Sequence, residues 1–108
     1  MSMETLHYRF EGGQRALHQA PAAALVGVVG SGNLEVLIEA APLAGGCAVE
    51  ITTAAVGFGA TWQAVVEDFN QRWRLMDVRI AINDMGATPA VVSLRLDQAV
   101  ETMLGGAP

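Results

Sequence analysis

Residues 23–40 read AALVGVVGSGNLEVLIEA, and this stretch decides the fold. Its first part, residues 23–29, holds only apolar residues and glycine, which predicts a central strand covered on both faces. Its last part, residues 34–40, places three aliphatic residues on one face and two glutamates on the other, the pattern of a half-buried strand. Residues 30–33, Gly-Ser-Gly-Asn, separate the two. Two strand patterns joined by a short Gly- and Asn-rich segment predict a β-hairpin.

Outside this hairpin, alternating apolar and polar residues predict three more strands. They lie at residues 5–10, 47–54 and 77–83. Residues 11–22 and 42–46 contain glycine and proline and are predicted to be connections.

Two segments late in the chain change to helical spacing. In residues 61–74 the large apolar residues recur every three or four positions, which predicts a helix with one apolar face. A turn at residues 84–87 leads to a second helix, with Thr88 as its N-cap and Pro89 at the first helical position. The Gly105-Gly106 pair is predicted to end that helix.

Composition predicts a globular domain and narrows its partners. The 108 residues are 52% hydrophobic and 16% charged, so we predict a single domain over residues 1–108. Its expected fold class is α+β: a two-layer sandwich, with a mostly antiparallel sheet of about five strands and two helices on one face. The formal net charge is −5, with six arginines and no lysine, which argues against nucleic-acid partners and direct membrane binding. The sequence shows no signal peptide and no apolar stretch long enough for a membrane span, so we predict a soluble, cytoplasmic protein.

Few residues are candidates for catalysis. Ser31 has no evident base, because His7 lies in a predicted strand and His18 in a predicted loop. Residues 27–32 are rich in glycine but lack the further glycine and the lysine of nucleotide-binding loops. Cys47, the single cysteine, begins an apolar strand and is predicted to be a buried structural residue. We therefore predict no catalytic residue and no metal site.

Ser31 is the candidate functional residue because Gly30 and Gly32 present it on a tight turn. The two glycines have no side chains and permit positive φ, so they leave a hydroxyl open to another enzyme. The same pattern fits an ordinary hairpin turn, and geometry by itself favours that interpretation.

Three segments of the chain resemble the acyl-carrier (delta) subunit of bacterial malonate decarboxylase. They are residues 28–37 (VVGSGNLEVL), residues 84–89 (DMGATP), and Ile51-Thr52-Thr53 followed by a helix that holds Trp62-Gln63. The similarity extends along nearly the whole chain. One difference is Asn33, where the family is expected to have aspartate, so a carboxylate beside Ser31 is missing.

The resemblance implies a role for Ser31 as an anchor. In this family the matching serine carries a phosphoribosyl dephospho-CoA arm through a phosphodiester, added by a dedicated prosthetic-group transferase. Gly30 and Gly32 would form the presenting turn. The thiol of the arm would bear an acetyl group, which an acetyl-/malonyl-transferase subunit exchanges for a malonyl group. Malonyl-thioester decarboxylase subunits would then release carbon dioxide and regenerate the acetyl thioester. The chain would be a non-catalytic phosphoprotein carrier in a multisubunit complex of malonate catabolism.

The turn at residues 84–88 raises a second expectation. If it lies near Ser31, then Asp84, Gly86 and Thr88 contact the arm, because the start of a helix favours an anion. The alternative is that these residues only build a turn and a helix cap.

Two other functions stay open. One is the acyl-carrier subunit of a related lyase of the citrate lyase type, which uses a similar arm. The other is an unmodified α+β protein-interaction module. Leu37, an apolar residue on the outward face of its strand, fits a docking surface in every case.

Overall fold

The chain folds into a five-stranded sheet with both helices on one of its faces. The structure, a computed structural model, describes residues 3–16, residues 26–31 by their backbone, and residues 33–103. The elements follow in the order β1 (Glu4–Phe10), β2 (Arg15–Ala16), β3 (Val26–Ser31), β4 (Leu34–Ala40), β5 (Cys47–Thr53), α1 (Gly59–Trp73), β6 (Leu75–Met76), β7 (Val78–Asp84) and α2 (Pro89–Met103). The predicted α+β class is confirmed.

The strands of the main sheet lie in the order β1-β5-β7-β4-β3. β5 and β7 are parallel, because α1 crosses over between them, and the other three neighbouring pairs are antiparallel. The prediction of a mostly antiparallel sheet of about five strands is confirmed. The prediction that residues 23–29 form a central strand is wrong, because β3 lies at one edge of the sheet. Apolar residues on both faces of a strand indicate that other parts of the protein cover these faces. They do not indicate whether the strand is paired with another strand along both of its edges. Residues 23–25 lie outside the described part of the chain.

The hydrophobic core lies between the sheet and the helices. The three inner strands, β4, β5 and β7, bury alternate residues, so one face of the sheet is covered. The buried faces of α1 and α2 complete this core. The opposite face of the sheet carries polar residues such as Glu35 and Asn83 together with the half-buried Leu37, whose outward position is as predicted. No helix among the described residues covers that face.

A small parallel pair, β2 with β6, was not predicted. The sequence predicts a connection at residues 11–22, because two-residue strands are too short to leave a periodic pattern. Gly13 permits the close approach, because a Cβ at this position would lie 2.3 Å from the carbonyl oxygen of Leu75. The rest of that connection, residues 17–22, is outside the described residues.

The second helix begins as predicted, with Pro89 as its first residue. Its last described residue is Met103, so the predicted stop at Gly105-Gly106 lies outside the described residues. Neither α1 nor α2 combines the length and the apolar composition that a membrane-crossing helix requires.

Candidate functional site

Ser31 is the last residue of β3 and pairs with Leu34, the first residue of β4. The hairpin connection is therefore two residues long, positions 32 and 33, which is the shortest common hairpin loop. The sequence predicted that the strand stops before Gly30, whereas Gly30 and Ser31 continue the ladder opposite Glu35 and Leu34. Glycine and serine have the same backbone donors and acceptors as other residues, so local sequence does not mark where pairing ends. Gly32 lies outside the described residues.

The turn between β7 and α2 lies directly beside this hairpin. Leu34, the partner of Ser31, pairs on its other side with Asp84 at the end of β7. The Met85 amide also donates a hydrogen bond of 2.8 Å to the carbonyl oxygen of Asn33. The sequence-based expectation that the turn approaches Ser31 therefore agrees with the backbone register.

Asp84 organises the turn from within the core. Its side chain is 1% exposed. One carboxylate oxygen accepts a hydrogen bond of 2.8 Å from the hydroxyl of the fully buried Thr53. The other accepts from the backbone N–H of Ala87 at 2.8 Å and of Gly86 at 3.2 Å. Because a buried carboxylate needs such donors, Asp84 has a clear structural role.

Gly86 and Thr88 also have structural roles in the turn. Gly86 has φ of +122°, a conformation that residues with a side chain rarely adopt. The Thr88 hydroxyl accepts a hydrogen bond of 3.3 Å from the Val91 amide, as an N-cap does. The structural roles of Asp84, Gly86 and Thr88 are sufficient to explain their positions. Contact between these three residues and a bound group therefore stays a prediction.

Two cavities flank the turn, and neither was predicted from the sequence. The first, of about 350 Å³, lies between the turn and the hairpin and is bounded by Asn33 and Leu34 on one side and Thr88 on the other. The second, of about 360 Å³, lies between the starts of α1 and α2 and has the apolar residues Phe58 and Trp62 in its lining. Of the two, the first is the one whose described lining includes residues of the β3–β4 hairpin.

The two candidate catalytic groups that the structure describes, His7 and Cys47, lie on strands away from β3. His7 is on β1, at the opposite edge of the sheet, with its Nδ1 3.8 Å from a carboxylate oxygen of Glu50. Four strand spacings of about 4.8 Å put β1 roughly 19 Å from β3. Burial raises the pKa of the Cys47 thiol to about 11, so this thiol is a poor nucleophile. His18 is outside the described residues, and within the described ranges no three metal-binding side chains cluster.

Comparison with known proteins identifies the family. The model of the malonate decarboxylase delta subunit (MdcD) family matches residues 21–103. The malonate decarboxylase acyl carrier protein of Stenotrophomonas maltophilia (strain K279a) is 65% identical over 106 residues, which cover 98% of this chain and 99% of the relative. That of Xanthomonas euvesicatoria pv. vesicatoria (strain 85-10) is 64% identical over 103 residues, with 95% and 97% covered. That of Burkholderia cepacia is 60% identical over 97 residues, with 90% and 87% covered.

A solved structure agrees with these relatives. A chain in the crystal structure of a Pseudomonas malonate decarboxylase hetero-tetramer in complex with malonate is 39% identical to this chain. The two superpose with a TM-score of 0.71, over 93% of this chain and 98% of the other. This chain therefore belongs to the malonate decarboxylase delta-subunit family of acyl carrier proteins.

Proposed function

We propose that this chain is the acyl-carrier subunit of a malonate decarboxylase complex and that Ser31 anchors its prosthetic arm. The observation that carries the proposal is the full-length similarity to acyl carrier proteins of malonate decarboxylase, at 65% identity in one relative. Ser31 is the proposed anchor because it lies within the segment, residues 28–37, on which the resemblance rests. The arm is the phosphoribosyl dephospho-CoA group, linked by a phosphodiester to the serine hydroxyl.

The surroundings of Ser31 fit such a group. Ser31 ends a strand at a two-residue loop, and the described loop residue, Asn33, is exposed. A groove of about 350 Å³ begins at its strand partner Leu34 and has small residues, Gly86 and Ala87, in its opposite wall. A phosphoribosyl group attached to Ser31 would therefore begin next to this groove, beside the exposed Asn33.

The fold gives the anchor a rigid base. The hydrogen bond from Met85 to Asn33 ties the hairpin to the β7–α2 turn, and buried Asp84 holds that turn in place. When attached, the arm supplies the thiol that carries the acyl group. Because the anchor is fixed, the acyl group reaches a docked subunit at an effective concentration set by the length of the tether, on the order of millimolar.

The carrier itself needs no catalytic residue under this proposal. Acyl exchange and decarboxylation would occur on an acetyl-/malonyl-transferase subunit and on malonyl-thioester decarboxylase subunits, and a prosthetic-group transferase would load the arm. The position of His7 at the far edge of the sheet supports this division of labour, because it keeps that imidazole away from Ser31.

Intact-mass measurement tests the proposal. The chain is co-produced with its cognate prosthetic-group transferase, alongside Ser31→Ala and the matched control Ser93→Ala on α2. We expect the mass of the arm to be added to the wild type and to Ser93→Ala, and not to Ser31→Ala. Failure to add mass to the wild type in the presence of active transferase, or equal addition to Ser31→Ala, overturns the assignment. The first of these outcomes is the one expected of an unmodified interaction module.

A further inference from the structure

The groove beside the hairpin contains a positive charge. Its lining comes from three elements: Asn33 and Leu34 of the hairpin, residues 86–88 of the turn, and Val91 and Arg95 of α2. Leu34 is the strand partner of Ser31, and paired residues in antiparallel strands have Cα atoms about 4.5–5.5 Å apart. A group bonded to Ser31 therefore begins beside one wall of the groove, and Arg95 belongs to the other.

Arg95 is suited to binding phosphate. It follows Val91 by about one helical turn, so the two residues share a face of α2. Its Nη1 donates a hydrogen bond of 3.0 Å to Oε1 of Gln98. A guanidinium has five N–H donors and stays charged, so it can bind an amide oxygen and a phosphate oxygen together. Arg95 is half-buried, and charge interactions there exceed those in bulk water.

The charge balance of the groove is unusual for this chain. The protein has a formal net charge of −5, yet the described residues that line the groove include one arginine and no carboxylate. The nearby Asp84 directs its carboxylate to Thr53, Gly86 and Ala87.

The side chain of Arg95, and not the helix terminus, provides this charge. Arg95 lies six positions after Pro89, the first residue of α2. At 1.5 Å per residue this is about 9 Å along the axis. The field of a helix terminus acts mainly within the first turn.

We infer that Arg95 binds a phosphate of the arm attached to Ser31 and so holds the first part of the arm in this groove. The inference rests on the proposed function, because it requires the arm. It predicts that the phosphate bound by Arg95 is held in place and that only the part of the arm beyond this phosphate moves freely. Arg95 is then a positioning residue of the carrier, acting before any partner subunit binds.

Phosphorus NMR of the modified carrier tests this inference without any measurement of activity. Wild type, Arg95→Gln, Arg95→Lys and the control Arg79→Gln, on the open face of the sheet, are loaded with the arm and checked by intact mass. The phosphorus resonances of each are recorded in the native state and again in urea. For wild type and Arg79→Gln, we expect at least one native resonance to be displaced and broadened relative to urea, and high salt to reduce the displacement.

We expect Arg95→Gln to lose most of that displacement and Arg95→Lys to retain part of it, because lysine keeps the charge and loses the planar fork. Equal displacement in Arg95→Gln and wild type overturns the inference while leaving the proposed function intact. Should Arg95→Gln fail to fold, the wild type still decides, since native resonances identical to those in urea, or a displacement that high salt leaves unchanged, also overturn the inference. A chain that gains no mass at the loading step refutes the proposed function instead.

Discussion

Replacing Asp84 with alanine is expected to destabilise the protein by about 2–4 kcal/mol. The carboxylate accepts two hydrogen bonds of 2.8 Å and one of 3.2 Å, and it is 1% exposed. The two shorter hydrogen bonds, made to a charged group, contribute about 1.5–3 kcal/mol each and the longer bond about 0.5–1 kcal/mol, so the gross loss is about 3.5–7 kcal/mol. Removing a buried charge recovers part of its desolvation cost, which reduces the net effect.

Urea unfolding followed by tryptophan fluorescence measures this change, because Trp62 is buried in the core near α2. Thr53→Val removes the hydroxyl that donates to Asp84 and accepts from the Ala55 amide, and it is expected to cost about 1–3 kcal/mol. The matched control is Glu35→Ala, whose exposed side chain makes one bond of 3.2 Å to Asn83, and its expected cost is below about 0.5 kcal/mol.

A local measurement separates the turn from global stability. The Met85 amide donates to Asn33 across the junction of turn and hairpin, so its hydrogen exchange reports on that junction. We expect this exchange to accelerate more in Asp84→Ala than the loss of global stability explains. A free energy of unfolding within about 0.5 kcal/mol of the wild type would refute the claim that Asp84 organises the turn.

Three further predictions concern Gly13 and Cys47. Gly13→Ala should lower the free energy of unfolding by about 1–3 kcal/mol, because its Cβ would lie 2.3 Å from the Leu75 carbonyl oxygen. The control is Gly59→Ala, whose Cβ has no neighbour closer than 3.9 Å and which should be neutral or stabilising in the same urea titration. Equal effects of the two substitutions would contradict the claim that Gly13 is required for the close approach to Leu75. Cys47, with its pKa raised to about 11, should react with iodoacetamide at pH 8 about 100-fold more slowly in the native protein than in urea, and equal rates would show that the thiol is accessible. Because the folded pKa lies above the unfolded value of about 9, this thiol favours the folded state below pH 9, and that contribution should decline as pH rises from about 9 toward 11.

Elements with a strong local signal were predicted closely. Alternation of apolar and acidic residues placed a strand at residues 34–40, which is β4, and Thr88 with Pro89 placed the start of α2. These signals are local because side-chain direction repeats every two residues in a strand, and a cap satisfies amides only a few residues away. No long-range information is needed to interpret them.

The position of β3 in the sheet needed the tertiary structure. Residues 23–29 carry apolar residues and glycine on both faces of the predicted strand, a pattern that favours a central strand. Strand order depends on backbone pairing within the plane of the sheet, which side-chain polarity does not report. The parallel pair of β2 and β6 was missed for a different reason: each strand has only two residues, too few to show a periodic pattern.

The sequence by itself determined which residue to examine. It singled out Ser31 between two glycines, and the family resemblance supplied an expected role for that serine. The tertiary structure decided what surrounds it: the end of an edge strand, the turn held by buried Asp84, and a groove with Arg95 in its wall. Arg95 is 64 positions after Ser31, and such a separation leaves no local pattern, because the sheet register and the packing of α2 bring the two segments together.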